Sequence, residues 1–263
     1  MEKDNQRLNQ AFFAVLCNIY TRNAIFSYLP LFVLTTKSVN MISAHFETVD
    51  EAKEVKMRSV RGRYDTVPSF RLTSQEQLQT GTIWSKKKIR VLSGFTATFR
   101  FQVTPVNGAS GDGLAFVIQN APNGNRTYHK SDGSSMGYAG IPNSVAIEFD
   151  TYEYGGDPNN NHISIQTKGK QPNDWRHQYS IGWGTPSTRI DNGAIHESII
   201  TYDTKSHPQP TITVSMNGEI IINNLKYDLG SIGLDNGTAF IGFSAATGYS
   251  AQFHRVLSCE ILN

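Results

Sequence analysis

Cysteine is almost missing from this chain: Cys17 and Cys259 are the two in 263 residues. Two thiols make no disulfide framework. Cys259, in the alternating run Leu257, Cys259, Ile261, reads as a buried core thiol. A surplus charge of either sign is also lacking. The 24 basic and 22 acidic residues leave a formal charge of +2, too little to select nucleic acid or anionic lipid. The one basic run, Lys86-Lys87-Lys88, has none of the interleaved aromatics of a nucleic-acid groove and reads as a solvated turn. No apolar run reaches the roughly 20 residues of a clean transmembrane helix. The stretches 11–20 and 24–34 are separated by Thr21, Arg22 and Asn23, and Pro30 interrupts the second. Internal repeats of a solenoid or propeller are absent, as is any convincing amphipathic helix after Ala44.

What is present divides the chain in two. Residues 1–43 form an N-terminal hydrophobic leader. The second apolar stretch has the length of a signal-peptide core, and Thr36-Lys37-Ser38 offers a small-x-small cleavage site, with an uncleaved membrane anchor as the other reading. Entry into the secretory pathway would give meaning to two glycosylation sequons, Asn125-Arg126-Thr127 and Asn236-Gly237-Thr238.

Residues 44–263 carry 2-residue periodicity. In 95–103 every odd position is apolar and every even one polar, so one face is dry and the other wet. Residues 113–119 make a mostly apolar central strand. Strands follow at 195–202, 211–216, 219–223, 238–244 and 252–262, with Asn217-Gly218 as a two-residue hairpin turn. Aromatics at 11% and 22 glycines fit the same picture of many strands and turns. The expected fold is all-β, an antiparallel β-sandwich.

The segment 145–165, VAIEFDTYEYGGDPNNNHISI, packs Glu148, Asp150, Asp157 and His162 into fifteen residues. On a strand, Glu148 and Asp150 point from one face while Ile147 and Phe149 point from the other. Like charges held side by side repel unless a cation lies between them. Gly155, Gly156 and Pro158 mark a tight loop able to return Asp157 and His162 to the same spot. Carboxylates with one imidazole suit Mn²⁺ or a similar transition ion, and spare carboxylate oxygens suit Ca²⁺.

Over 44–263 the chain resembles the legume-lectin-like (L-type) lectin family. The resemblance is carried, in order, by Arg71-Leu-Thr, Gly81-Thr-Ile-Trp84, Gly94-Phe-Thr-Ala-Thr-Phe99, Gly111-Asp-Gly-Leu-Ala-Phe116, the segment 145–165 and Ile241-Gly-Phe-Ser-Ala-Ala-Thr-Gly248. It implies a jelly-roll, concanavalin-like sandwich that binds carbohydrate without catalysis. It also implies a transition-metal site on Glu148, Asp150, Asp157 and His162, and a calcium site sharing Asp150 and Asp157 with the Tyr152 carbonyl. Asp112, after a cis peptide, would anchor the sugar. Backbone N–H groups of Gly137 and Tyr138 would donate to it, the Tyr152 ring would stack on it, and the loop of Gly248, Tyr249 and Ser250 would set preference. Glycans or glycoproteins are the implied partners, and relatives often pair into homodimers. One position departs: Tyr154 stands where the family has an asparagine that ligates calcium, and a neutral phenol is a poor calcium ligand. Asn159, Asn160 and Asn161 are the nearby replacement donors.

Two rivals use the same residues. Glu148-Phe-Asp150-Thr-Tyr-Glu153 fits the Glu-x-Asp-x-x-Glu spacing of sandwich-fold β-glucan hydrolases, with Glu148 as nucleophile and Glu153 as general acid. Their opposite strand parity would demand a bulge. The other rival is an adhesion or defence scaffold that has lost sugar binding. His196 and His254 fit no ligand spacing and read as ordinarily packed histidines.

Overall fold

The computed structural model describes residues 41–43, 46–50, 53–56, 68–108, 110–130 and 133–263. Residues 1–40, with Cys17 and the expected leader and cleavage motif, lie outside the described residues. In chain order the strands are β1 (Met41–Ser43), β2 (Phe46–Asp50), β3 (Lys53–Lys56), β4 (Pro68–Thr73), β5 (Thr80–Ser85), β6 (Ile89–Arg90), β7 (Phe95–Pro105) and β8 (Gly113–Gln119). They continue as β9 (Ser144–Asp150), β10 (His162–Thr167), β11 (Ser180–Gly184), β12 (Ile195–Asp203), β13 (Thr211–Met216), β14 (Glu219–Lys226), β15 (Thr238–Ala246) and β16 (Gln252–Leu262). β1 falls within the last residues assigned to the leader, because its backbone pairs with the end of β16.

Among the described residues the strands form two eight-stranded antiparallel sheets. One runs β14-β13-β12-β7-β16-β4-β3 with β1 on β16, and the other β11-β10-β9-β8-β15-β5-β2 with β6 on β15. The alternation of 95–103 appears directly in β7, where Phe95, Ala97, Phe99, Phe101 and Val103 are buried. Phe99 and Phe101 leave the first sheet to meet Phe116, Phe149 and Phe243 from the second. Ring centroids lie 5.0 Å apart for Phe99–Phe243 and for Phe101–Phe149, and 5.6 Å for Phe99–Phe116. Each such ring contributes roughly 1.5–3 kcal/mol on burial, so this layer holds the sheets together. Cys259 lies in that core, where burial pushes its thiol up to about 12.

The second sheet is buried on both faces at its centre. β8 and β9 are buried along their whole length. On the side away from the main core, Met136, Tyr138 and Ile141 pack with Trp84, Ala115, Val117 and Ala146 as a separate apolar cluster. The loop 133–141 thus closes the face from which Glu148 and Asp150 project. No helix among the described residues is long and apolar enough to cross a membrane.

Candidate functional site

The metal cluster follows from strand register. In the β9–β10 ladder Asp150 sits opposite His162, and Glu148 opposite Ser164. Directly opposed residues share a face, so both carboxylates and the imidazole converge. Beyond β9 the chain turns at Gly155 and Gly156, both at positive φ, and Asp157 comes back towards β10. The turn is latched by the Tyr154 N–H donating to Asp157 Oδ2 at 2.9 Å. Ligand atoms of Asp150, Asp157 and His162 lie within 4.8 Å of one another. Glu148 Oε1 lies 3.8 Å from His162 Nε2, so the four sequence-predicted residues gather around His162.

Their electrostatics are those of carboxylates crowded together out of water. Burial and the neighbouring Glu148 carboxylate push Asp150 well above the usual carboxylate range, and burial also raises Asp157. Burial disfavours charge on Glu148 as well. Its partners win, however, and hold it below the ordinary value: first His162, with Nε2 3.8 Å from Oε1, then Gln166 Nε2 at 2.9 Å and Ser164 Oγ at 2.5 Å to Oε1, and Tyr138 Oη at 2.6 Å to Oε2. At His162, burial is outweighed by the Glu148 carboxylate 3.8 Å from Nε2, so the imidazole titrates above its usual value. Asn159 O holds His162 Nδ1 at 2.8 Å, while Nε2 is buried without a hydrogen-bond partner. If Nδ1 carries the proton that this carbonyl accepts, Nε2 presents a bare lone pair to the carboxylates. That donor set fits a divalent transition ion.

Calcium finds fewer donors. Tyr154 turns to the surface and packs on Trp175 at 5.4 Å between ring centroids. The carbonyl oxygens of the three candidate asparagines are all engaged elsewhere. Asn159 Oδ1 accepts from the Asn161 N–H, Asn160 Oδ1 from Arg189 Nη1, and Asn161 Oδ1 from the Ile190 N–H. No asparagine takes the place of the one Tyr154 displaced.

Asp112 stands immediately before β8, beside the Asp150 end of β9, after a cis Gly111–Asp112 peptide. Its carbonyl accepts from both the N–H and the hydroxyl of Thr151 at 2.9 Å, and its N–H donates to Ala246 O at 3.2 Å. The β9 exit and β15 thereby fix its position. The carboxylate is 7% exposed at the base of a cleft of about 210 Å³ that also touches Gly133, Tyr152, Tyr154, Gly248 and Tyr249. A larger cavity of about 640 Å³, reaching Asn160, Arg189 and Asp191, shares Tyr152 and Ser250 with that cleft.

Two rim assignments differ from expectation. Tyr138 is fully buried beneath the sheet, with its N–H donating to Ser135 O at 3.1 Å and its hydroxyl to Glu148. Gly137 is buried beside Thr80 and Ser244. The 3-10 turn Gly133–Ser135 turns the chain down across the face, so these two residues pass below the cleft. The glycine that does meet Asp112 is Gly133: a Cβ there would overlap the carboxylate, and one on Gly248 would come within 3.0 Å of Oδ2. Three glycines in the stretch 133–140 made that choice illegible from sequence.

His254 also does more than pack. Its ring nitrogens lie 2.6 Å from Thr73 Oγ1 and 2.8 Å from Gln252 Nε2. Gln252 Nε2 donates to Thr151 Oγ1 at 2.6 Å, and that hydroxyl donates to the Asp112 carbonyl. A buried chain of hydrogen bonds thus runs from β16 to the cleft. Burial holds His254 neutral, lowered to about 3.

The hydrolase geometry is not met. Glu148 is 1% exposed with both oxygens engaged, and Glu153 lies exposed in the loop beyond β9.

The family model for the legume lectin beta-barrel domain matches residues 38–258. A seed lectin of Styphnolobium japonicum is 32% identical over 67% of this chain and 59% of its own length, so the chain spans about three-fifths of that relative. A lectin alpha chain of Lablab purpureus is 30% identical over 84% of this chain and 80% of its own. Among solved structures, basic winged bean lectin with Tn-antigen superposes with a TM-score of 0.63 at 24% identity, over 84% of this chain and 98% of that one. The chain belongs to the legume-type (L-type) lectin family.

Proposed function

We propose that this chain is a non-catalytic carbohydrate-binding lectin, in which a cation held between β9 and β10 orders the loops of the saccharide cleft. The observation that carries the reading is Asp112, fixed at its backbone and enclosed by two glycines at the floor of an open cleft. A carboxylate there can accept hydrogen bonds from two adjacent hydroxyls of a hexose. Gly133 leaves room for the sugar to approach, and the exposed rings of Tyr152 and Tyr249 offer faces for its apolar side. A transition ion would be held by Glu148, Asp150, Asp157 and His162. Calcium would rest on Asp150, Asp157 and the Tyr152 carbonyl. Either ion would offset the charge of the clustered carboxylates.

Glycans and the glycoproteins that bear them are the partners in this reading. The leader takes the chain to the secretory lumen or outside, membrane-anchored if it is retained, where the exposed Asn236 and half-buried Asn125 are glycosylation acceptors. A homodimer belongs to the same reading. The test is a glycan array with divalent ions added, comparing the wild type with Asp112→Ala. The expected result is loss of all glycan signal with an unchanged circular dichroism spectrum. Equal binding by the two proteins refutes the assignment, and silence from both favours the adhesion or defence scaffold.

A further inference from the structure

We infer that His177 is an additional ligand of the transition-metal site, which makes it a two-histidine centre selective for Zn²⁺ over Mn²⁺. The inference rests on the metal part of the reading above and names the ion class that the site takes. His177 opens the 3-10 turn His177–Tyr179 just before β11, fifteen residues from His162, at no spacing that marks a ligand pair.

Three observations carry it. The first is convergence. Glu148, His162 and His177 each offer a ligand atom, and these atoms lie within 4.8 Å of one another, as do those of Asp150, Asp157 and His162. His162 belongs to both sets and joins them. The second is unmet valence. His162 Nε2 and His177 Nδ1 are both buried with no hydrogen-bond partner. Buried polar atoms are normally paired, and two bare imidazole nitrogens around one carboxylate are an arrangement that a cation satisfies. The third is placement. The His162 and His177 rings meet edge to face at 5.5 Å, and the Trp183 ring also meets His177 edge to face at 5.6 Å, so the second imidazole is packed at the site.

The chemistry then selects the ion. Carboxylate, carbonyl and water donors suit Mn²⁺ and Ca²⁺, whereas imidazoles suit zinc and its neighbours, and affinity for nitrogen donors rises along the series from manganese. A second imidazole moves the site in that direction. The displacement of the calcium asparagine by Tyr154, with Asn159, Asn160 and Asn161 all engaged, removes donors from the oxygen-rich side at the same time.

The experiment is calorimetric titration of chelator-stripped full-length protein with ZnCl₂ and, separately, MnCl₂, for the wild type, His177→Ala and His177→Gln. Folding of each is checked by circular dichroism, and CoCl₂ absorbance serves as a second readout of nitrogen ligation. The wild type is expected to bind Zn²⁺ at least about tenfold more tightly than Mn²⁺. Both variants should lose about 10- to 100-fold in Zn²⁺ affinity, with Mn²⁺ affinity little changed and a weaker Co²⁺ band. The glutamine variant keeps a polar side chain of similar reach and carries the test if alanine disturbs the turn. Unchanged Zn²⁺ affinity in folded variants, or equal losses for both ions, overturns the role of His177 and leaves the wider metal reading standing. Failure of the wild type to bind any of the ions overturns both.

Discussion

The candidate metal cluster and the proposed saccharide cleft are neighbours built by different means. The cluster projects from paired strands. Glu148, Asp150 and His162 are placed by register and buried, the Tyr138 loop packs over that face, and half-buried Asp157 joins them from the turn. The cleft is made where loops meet: Asp112 at a strand end, Gly133 on a 3-10 turn, Tyr152 beyond β9 and Tyr249 beyond β15, with Tyr249 86% exposed. A register error of one residue in β9 would send Glu148 and Asp150 into the apolar core. A change in a cleft loop alters only what the surface presents. Charge is thus tolerated in the interior where the sheet dictates it, and recognition is left to segments that can vary without unfolding the sandwich.

The sharpest way to separate the two regions is Gly133→Ala. Its Cβ would overlap the Asp112 carboxylate, so glycan affinity should fall by about 100-fold or more, roughly 2.7 kcal/mol, while the melting temperature moves little. Array binding equal to wild type would show that Gly133 does not border the sugar. Metal removal should act the other way. A ligand of the native state at about 100 times its Kd adds about 2.7 kcal/mol, so chelation should lower Tm by roughly 5–10 °C. Glu148→Gln should show a much smaller shift. Coincident melting curves of wild type with and without chelator would remove any tight ion from the cluster.

An effect that vanishes at neutral pH probes the link between β16 and the cleft. Native His254 is held at about 3, whereas an unfolded histidine titrates near 6.5. Between those values the unfolded chain carries a proton that the native state lacks. Stability is therefore present above about pH 6.5 and is lost as pH falls, by about 1.4 kcal/mol per unit once well below it. Urea unfolding of wild type and His254→Gln at several pH values between 4.5 and 7 should show a steeper loss of stability towards low pH in the wild type, the difference being the His254 contribution. Parallel slopes would mean that the buried histidine takes up its proton in the folded state.

How far the chain could be read in advance tracks these same differences. Alternation in 95–103 specified which side of β7 is dry, because a strand has a period of two and few ways to bury five apolar side chains. The pair Glu148 and Asp150 was legible for the same reason, and Gly155, Gly156 and Pro158 announced the turn that returns Asp157. Tyr138 was misplaced at the rim because a loop has no such period. Its burial depends on the 3-10 turn beginning at Gly133, and its aromatic ring suits a cleft and a covered sheet face equally well. Lys88, expected in a solvated turn, reaches Asn120 and Asp235 across the fold.

The amino-acid pattern alone determined a two-sided sheet architecture and one strand face carrying paired acids, since both depend on local periodicity and on repulsion between adjacent charges. Tertiary structure alone decided which glycine opens onto Asp112, that Tyr154 leaves the cluster for Trp175, that His177 comes to rest against His162, and that His254 enters a polar network. Those outcomes depend on segments far apart in the chain arriving at one place, and residue spacing carries no record of where a loop will land.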